Sequence, residues 1–187
     1  MKKIKKNKSK GILFLITGLS GSGKTSIAKK IKKEIIKLYG PTLLISGDNI
    51  RKIFKFNKYT YKDRKALAIK YFKFSKFVTR QNINLIFAAV VNEDSRRLYK
   101  KNIDNYIEIY IKADLKKIIK SKKKKIYMQK SGPIVGIDIK PKLPKNSNII
   151  IKNDFKKNIQ QLATELINKL KKYEGVSIIS DYKHFFN

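Results

Sequence analysis

Residues 18–25 of this 187-residue chain, Gly-Leu-Ser-Gly-Ser-Gly-Lys-Thr, constrain its fold more than any other stretch. They match the pattern G-x-x-x-x-G-K-[ST], in which backbone N–H groups surround phosphate oxygens. An apolar run at 12–16 precedes them, and apolar residues at helical spacing follow from Ile27 to Leu38. Because the motif requires a strand before it and a helix after it, this context favours a nucleoside triphosphate site over a glycine-rich turn with a chance lysine.

The residue types of this phosphate loop suit separate tasks. Its three glycines allow a tight turn, and the following helix adds unpaired N–H groups and the positive end of its dipole. Lys24 is expected to reach the β- and γ-phosphates of ATP, and Thr25 to offer its hydroxyl to Mg²⁺. The predicted ATP-binding residues are Gly18, Leu19, Ser20, Gly21, Ser22, Gly23, Lys24, Thr25 and Ser26.

The remaining apolar segments predict an α/β fold of the P-loop NTPase type. Because strand-like and helix-like segments alternate, we expect a five-stranded parallel sheet flanked by helices in three layers. Residues 1–187 are interpreted as a single domain, with a core at 10–172 and a C-terminal tail at 173–187. Buried strands are predicted at 12–16, 42–45, 84–91, 106–111 and 148–151.

Asp48 follows the second predicted strand, in the sequence Ser-Gly-Asp-Asn-Ile-Arg at 46–51. Open α/β sheets bind their ligands at the carboxyl ends of the strands. Asp48 is therefore a candidate to orient or deprotonate an attacking hydroxyl, or to hold Mg²⁺. The alternative is a structural role as the N-cap of a helix that starts before Ile50, and one aspartate could serve both roles.

Residues 116–130 hold eight lysines and few apolar residues. Such a segment is poorly suited to a hydrophobic core and well suited to a short basic lid over polyphosphate. A solvated helix face explains the same composition equally well.

Composition excludes several classes of site. The chain has no cysteine and one histidine, His184, which leaves no disulfide framework, thiolate metal site or histidine-based triad. No apolar run approaches the ~20 residues that span a bilayer. Because the basic start leads directly into the first strand, we expect no signal peptide, no membrane partner and a cytoplasmic location.

The net charge of +33 would attract nucleic acids without sequence preference. The lysines are spread along the whole chain together with many isoleucines and asparagines, which favours a compositional bias of the encoding genome. We therefore expect no specific nucleic-acid partner. A non-catalytic basic nucleic-acid-binding module is the alternative outside the enzymes.

Several motifs, in order along the chain, resemble those of adenylylsulfate kinases (APS kinases). The phosphate loop lies within a family-like stretch at 14–30, and the Asp-Gly-Asp-Asn-Val-Arg element of the family is matched at 46–51. The family element Phe-Ser-x-x-Asp-Arg is matched by Tyr-Thr-Tyr-Lys-Asp-Arg at 59–64. Further matches lie at 108–111, 124–127 and 136–138, so that the resemblance covers roughly Gly11 to Lys172.

The resemblance implies a kinase of sulfate assimilation that uses ATP and Mg²⁺ to phosphorylate the ribose 3′-hydroxyl of adenylylsulfate. It places Asp48 near the attacking hydroxyl and Lys124 in the lid, both as catalytic residues beside Lys24. Arg51 and Arg64 would hold the phosphosulfate of the acceptor nucleotide, and Tyr59 would stack on its base. The family also implies a homodimer.

The departures from the family pattern fall mainly on the acceptor side. Val90 and Val91 occupy the Ile-Ser positions that follow the third strand in the family, so a serine that contacts the acceptor is lost. Ile134 replaces a phenylalanine that would cover the acceptor base. The segment at 134–146 resembles a divergent branch of the family that is found among surface-polysaccharide genes. One kind of enzyme in such a branch phosphorylates cytidine diphosphoramidate. That acceptor is the alternative to adenylylsulfate.

Overall fold

The computed structural model describes residues 10–56, 60–121, 137, 139 and 142–175. Strands and helices alternate along these ranges as the sequence predicts, with one additional helix after the second strand. The elements are β1 (Leu13–Thr17), α1 (Lys24–Tyr39), β2 (Thr42–Ser46), α2 (Gly47–Ile53), α3 (Tyr61–Arg80), β3 (Asn84–Ala88), α4 (Glu93–Asn102), β4 (Tyr106–Lys112), α5 (Leu115–Lys120), β5 (Ile149–Lys152) and α6 (Ile159–Lys171).

The five strands form one parallel sheet in the order β2-β3-β1-β4-β5. The central strand β1 pairs with β3 on one side and with β4 on the other. The chain builds β2 and β3 on one side of β1 and then crosses to the other side, so the strand order reverses beside β1. Ligands of open α/β sheets bind at such a reversal, at the carboxyl ends of the strands.

Side chains of β1 alternate between two hydrophobic layers, as the pleat of a strand requires. Phe14 and Ile16 pack with residues of α1 and α6 on one face of the sheet. Leu13 and Leu15 pack with residues of α2, α3 and α4 on the other face. All four side chains are fully buried, which confirms the predicted three-layer architecture.

One prediction of burial is wrong in detail. Strand β2 was expected to be buried, but it lies at the edge of the sheet and the Leu43 side chain is 41% exposed. The continuous apolar run of β2 conceals how many neighbours each of its positions has, because that number depends on tertiary packing.

Helix α2 starts directly after β2, so a helix does begin before Ile50, as the structural alternative for Asp48 supposed. Ser46 is its N-cap: its Oγ accepts from the backbone N–H of Asn49, and the Asn49 side chain accepts in return from the N–H of Ser46. This reciprocal capping box sets the start of the helix. Asp48 therefore lies in the first turn of α2, and the alternative that it caps the helix is wrong.

Only the start of the predicted lid lies within the described residues. Helix α5 ends at Lys120; its Ile118 is buried, whereas Lys116 and Lys117 are exposed. The predicted lid residues from Lys122 onward lie outside the described ranges. No helix in the part of the chain that the structure describes has both the length and the apolar character needed to cross a membrane.

Asn84, the first residue of β3, joins three elements at the end of the sheet opposite the phosphate loop. Its buried side chain accepts from the backbone N–H of Ile12 at 2.9 Å and donates to the carbonyl of Tyr39 at 2.7 Å. One amide thus satisfies two buried backbone groups, one before β1 and one at the end of α1. Unpaired buried groups of this kind are costly.

We expect Asn84→Ala to lower the free energy of unfolding by about 2–4 kcal/mol, because it leaves both of those buried backbone groups without their hydrogen bond to the Asn84 side chain. Urea unfolding followed by circular dichroism measures the change. Asn168→Ala, on the exposed side of α6, is the matched control and should change the value by about 0.5 kcal/mol or less. Equal stability of the Asn84 and Asn168 variants would contradict the bridging role.

Candidate active site

The ends of β1, β2 and β3 bring the predicted site residues to one edge of the sheet. The pairing registers place Ser46 beside Ala88 and Ala88 beside Ile16. Gly18, Asp48 and Val90 each lie two residues after one of these aligned positions. The three residues therefore leave the sheet at the same height along the strands. Because adjacent strands lie about 4.8 Å apart, the ends of β1 and β2, with β3 between them, are separated by about 10 Å.

The phosphate loop uses its glycines where the backbone requires them. Gly18, Gly21 and Gly23 have φ values of 145°, 76° and 96°, which side-chain-bearing residues rarely adopt. A Cβ at Gly18 would also lie 2.5 Å from the carbonyl oxygen of Ile111 on β4. The loop thus packs directly on the neighbouring strand, and its conformation depends on glycine at these positions.

Lys24, the first residue of α1, lies folded back over the loop. Its side chain is only 8% exposed, and its Nζ donates to the carbonyl oxygen of Leu19 at 2.6 Å. The ammonium group is therefore held at the start of a helix, where the N-terminal N–H groups and the helix dipole favour an anion. The geometry places one positive charge beside a set of backbone donors.

The residues proposed for Mg²⁺ offer hard oxygen donors. Thr25 lies half-buried in the first turn of α1, and Asp48 is exposed in the first turn of α2. A hydroxyl and a single carboxylate fit Mg²⁺, which keeps several waters and takes phosphate oxygens as its other ligands. Within the described ranges, no group of three or more Asp, Glu, His or Cys residues could hold a metal alone.

Asp48 is placed by tight packing around the residue before it. The Tyr71 hydroxyl of α3 donates to the carbonyl oxygen of Gly47 at 3.1 Å. A Cβ at Gly47 would lie 3.3 Å from the Cβ of Ala89, in the loop after β3. The first turn of α2 is thus held between α3 and that loop, while the Asp48 carboxylate stays exposed.

The described residues of the predicted acceptor side lie on three elements. Arg51 is on α2 and Arg64 is on α3, both half-buried. Strand β3 ends at Ala88, earlier than predicted, so Val90 and Val91 belong to the loop that follows it. Val90 is 45% exposed, whereas Val91 is buried. Tyr59, Lys124 and Ile134 lie outside the described residues.

Asn153, which belongs to none of the predicted site motifs, links the phosphate loop to the end of β5. Its buried Nδ2 donates to the carbonyl oxygen of Ser22 at 3.0 Å, and its backbone N–H donates to the carbonyl of Lys112 at 2.8 Å. Its Oδ1 accepts from the N–H of Phe155. The available signal was its position shortly after the predicted strand at 148–151, the same kind of position that drew attention to Asp48.

Asn153→Ala is expected to weaken ATP binding about five- to tenfold, because it removes the side-chain hydrogen bond to the Ser22 carbonyl and loosens the loop. Calorimetric titration with ATP measures the change. Asn146→Ala, at an exposed position before β5, is the control and should leave binding unchanged. Unaltered ATP affinity in Asn153→Ala would show that the loop keeps its shape without this contact.

The sequence model of the family described as adenylylsulphate kinase matches residues 10–152. The chain belongs to the adenylylsulfate kinase family. This confirms the resemblance drawn from the motifs, and the matched range contains the phosphate loop, Asp48 and the loop after β3. The chain is therefore a nucleotide-binding kinase, that is, a phosphotransferase.

Two relatives of the chain carry the names of different kinase activities. The chain is 29% identical over 168 residues to the cytidine diphosphoramidate kinase of Campylobacter jejuni, covering 87% of this chain and 98% of the relative. It is 28% identical over 171 residues to the adenylyl-sulfate kinase of Clostridium kluyveri, covering 86% of this chain and 83% of that protein.

A solved structure shows the same fold. The APS kinase of Mycobacterium tuberculosis, in complex with AMPPNP and APS, superimposes with a TM-score of 0.72 at 22% identity. The match covers 87% of this chain and 98% of that one. The all-parallel five-stranded sheet of the adenylylsulfate kinase fold is thus common to both.

Proposed function

We propose that this kinase transfers the γ-phosphoryl group of ATP to the 3′-hydroxyl of adenylylsulfate. The observation that carries the proposal is the convergence of a complete phosphate loop, Lys24 and the exposed Asp48 carboxylate at one edge of the sheet. Adenylylsulfate is the first candidate acceptor because the chain belongs to the family named for that activity.

On the donor side, backbone N–H groups of residues 18–26 bind the phosphates of ATP. Lys24 exchanges its bond to the Leu19 carbonyl for phosphate oxygens and offsets the charge that develops on the transferred group. Thr25 and Asp48 would hold Mg²⁺, which would neutralise part of the charge on the phosphates when bound.

On the acceptor side, Asp48 orients the 3′-hydroxyl and accepts its proton as the oxygen attacks the γ-phosphorus. The bond between that phosphorus and the β–γ bridging oxygen breaks, and ADP leaves. Arg51 and Arg64 suit the phosphosulfate because a guanidinium presents paired donors to anionic oxygens. We assign base stacking to Tyr59, charge stabilisation to Lys124, and the remaining acceptor contacts to Val90, Val91 and Ile134.

The second candidate acceptor is a cytidine-diphosphate-linked compound, cytidine diphosphoramidate. Two observations favour it: Val91 stands where the family has a serine, and the similarity to the Campylobacter jejuni cytidine diphosphoramidate kinase spans 98% of that protein. Loss of a polar partner changes substrate discrimination strongly, because a hydrogen-bonding group of the substrate is then left unpaired.

A coupled assay of ADP release distinguishes the two acceptors. Purified protein is incubated with ATP, Mg²⁺ and either adenylylsulfate or cytidine diphosphoramidate, with the Lys24→Ala variant as the blank. Turnover with adenylylsulfate alone supports the first acceptor, and turnover with cytidine diphosphoramidate alone replaces it by the second. No transfer to either compound, together with salt-sensitive DNA or RNA binding that survives Lys24→Ala, would instead support the nucleic-acid-binding alternative.

Three further assignments belong to this proposal. We expect residues 1–187 to unfold as one domain, the protein to form a homodimer, and its nucleotide chemistry to take place in the cytoplasm. Calorimetric unfolding, sedimentation velocity and cell fractionation test them in that order. The high positive charge is expected to draw nucleotides toward the site rather than to bind a specific nucleic acid.

A further inference from the structure

Arg96 of α4 is a buried arginine with three partners on three different segments. Its Nη1 donates to the carbonyl oxygen of Val91 and to that of Lys142, both at 3.0 Å. Its Nε lies 3.5 Å from the carboxylate of Glu108 on β4, and both side chains are largely buried. One guanidinium therefore connects the loop after β3, the stretch that leads into β5, and the sheet itself.

Glu108 is in turn held by neighbours that leave it little freedom. The Tyr106 hydroxyl donates to its Oε2 at 2.8 Å, and the Ser147 hydroxyl donates to its Oε1 at 2.7 Å. Burial raises the pKa of Tyr106 above its usual range, and the Glu108 carboxylate raises that pKa further. The phenol thus stays protonated and remains a donor, so Arg96 is anchored to a rigid group.

The same arrangement holds Val91 from two sides. Its N–H donates to Thr17 Oγ1 at 3.4 Å, directly before the phosphate loop, and its carbonyl accepts from Arg96. Residues 142–148 attach nearby: Ser147 bonds to Glu108, and the Asn148 side chain accepts from the Glu108 N–H at 2.8 Å. Val90, the exposed neighbour of Val91, is thereby placed relative to both segments.

We propose that Arg96 is a positioning residue that fixes the loop at 89–92 against residues 142–148. By fixing this loop, Arg96 sets the affinity of the enzyme for the acceptor. It does not affect the affinity for ATP. The inference rests on the proposed function, because it takes Val90 and Val91 as part of the acceptor site. Arg96 itself touches neither substrate. Its effect passes through the carbonyl oxygens of Val91 and Lys142, to both of which its Nη1 donates while its Nε faces Glu108.

The kinetic experiment compares Arg96→Met with Arg97→Gln, an exposed neighbour that pairs with Glu93. KM values for ATP and for the acceptor, adenylylsulfate or cytidine diphosphoramidate, are measured separately. We expect Arg96→Met to raise the acceptor KM about tenfold or more with the ATP KM unchanged. Arg97→Gln should leave both values unchanged. Equal increases in both KM values would overturn the proposal.

Arg96→Met also leaves Glu108 buried without its cation, which destabilises the fold whatever the role of Arg96. The double variant Arg96→Met/Glu108→Gln removes both charges and keeps an oxygen for Tyr106 or Ser147. We expect it to recover the Tm while the acceptor KM stays high. Recovery of the acceptor KM together with the Tm would reduce Arg96 to a charge partner of Glu108 and refute the positioning role.

Hydrogen–deuterium exchange followed by mass spectrometry tests whether Arg96 orders the loop, and this measurement does not require catalytic turnover. Peptides covering 89–92 and 142–148 should exchange faster in Arg96→Met and in the double variant, and as in wild type in Arg97→Gln. Unchanged exchange overturns the proposal, as does faster exchange with an unaltered acceptor KM. If wild-type protein turns over neither acceptor, the proposed function fails, whereas the exchange rates still decide whether Arg96 orders the loop.

Discussion

Lys24→Ala should lower the rate of phosphoryl transfer by about 10³-fold while leaving the fold intact. In this structure Lys24 is a buried lysine at the start of α1, and its Nζ is held by the Leu19 carbonyl of its own loop. Removing a preorganised donor that faces developing charge costs about 10²–10³ in rate, and the loss of a full charge lies at the upper end. Single-turnover ADP formation from ATP and the acceptor measures the loss.

Lys29→Ala provides the matched control, because Lys29 lies exposed on the same helix. It should retain full activity. We expect the Tm of Lys24→Ala to fall by about 2–4 °C at most, since a loss of up to about 1 kcal/mol shifts the Tm of a domain this size by that amount. A Lys24→Ala variant with normal transfer rates would refute the role of the loop lysine.

Asp48→Asn should lower kcat by about 10²–10⁴-fold, because the amide cannot accept the proton of the attacking hydroxyl. The side chain keeps its shape, and the Ser46 capping box that holds α2 is untouched, so ATP binding should persist. Steady-state kinetics with ATP and the acceptor varied in turn measure the effect on kcat and on both KM values.

Asp94→Asn is the control for Asp48→Asn. Asp94 is likewise an exposed acid in the first turn of a helix that follows a strand of this sheet, but it lies on α4. It should leave kcat unchanged. An Asp48→Asn enzyme with near-normal turnover would remove Asp48 from both the base and the metal roles.

The phosphate loop and the strands could be predicted from sequence because their signals are local. Gly18, Gly21 and Gly23 adopt positive φ values that glycine tolerates. The motif that contains them also requires a strand before it and a helix after it, and both can be recognised in the adjacent sequence. The alternation of Tyr106 to Ile111 likewise follows from the pleat of a single strand. Each of these features is decided within a few residues of chain.

Features that depend on distant partners were missed. The strand order that places β2 at an edge depends on the whole topology, which no window of sequence contains. Asn153 and Arg96 look like ordinary polar residues until the fold brings Ser22 within reach of one and Val91 and Lys142 within reach of the other. Helix α2 is an exception, since Ser46 and Asn49 offered a capping signal that was available locally.

The two halves of the candidate site stand on strands with unequal support. The phosphate loop follows β1, which has a paired strand on each side, whereas Asp48 follows β2, which has a single neighbour. Edge segments open more readily than central ones. Mild denaturant or heat should therefore abolish catalysis before it abolishes ATP binding. Partial unfolding should thus produce a state that binds ATP but does not transfer its phosphoryl group.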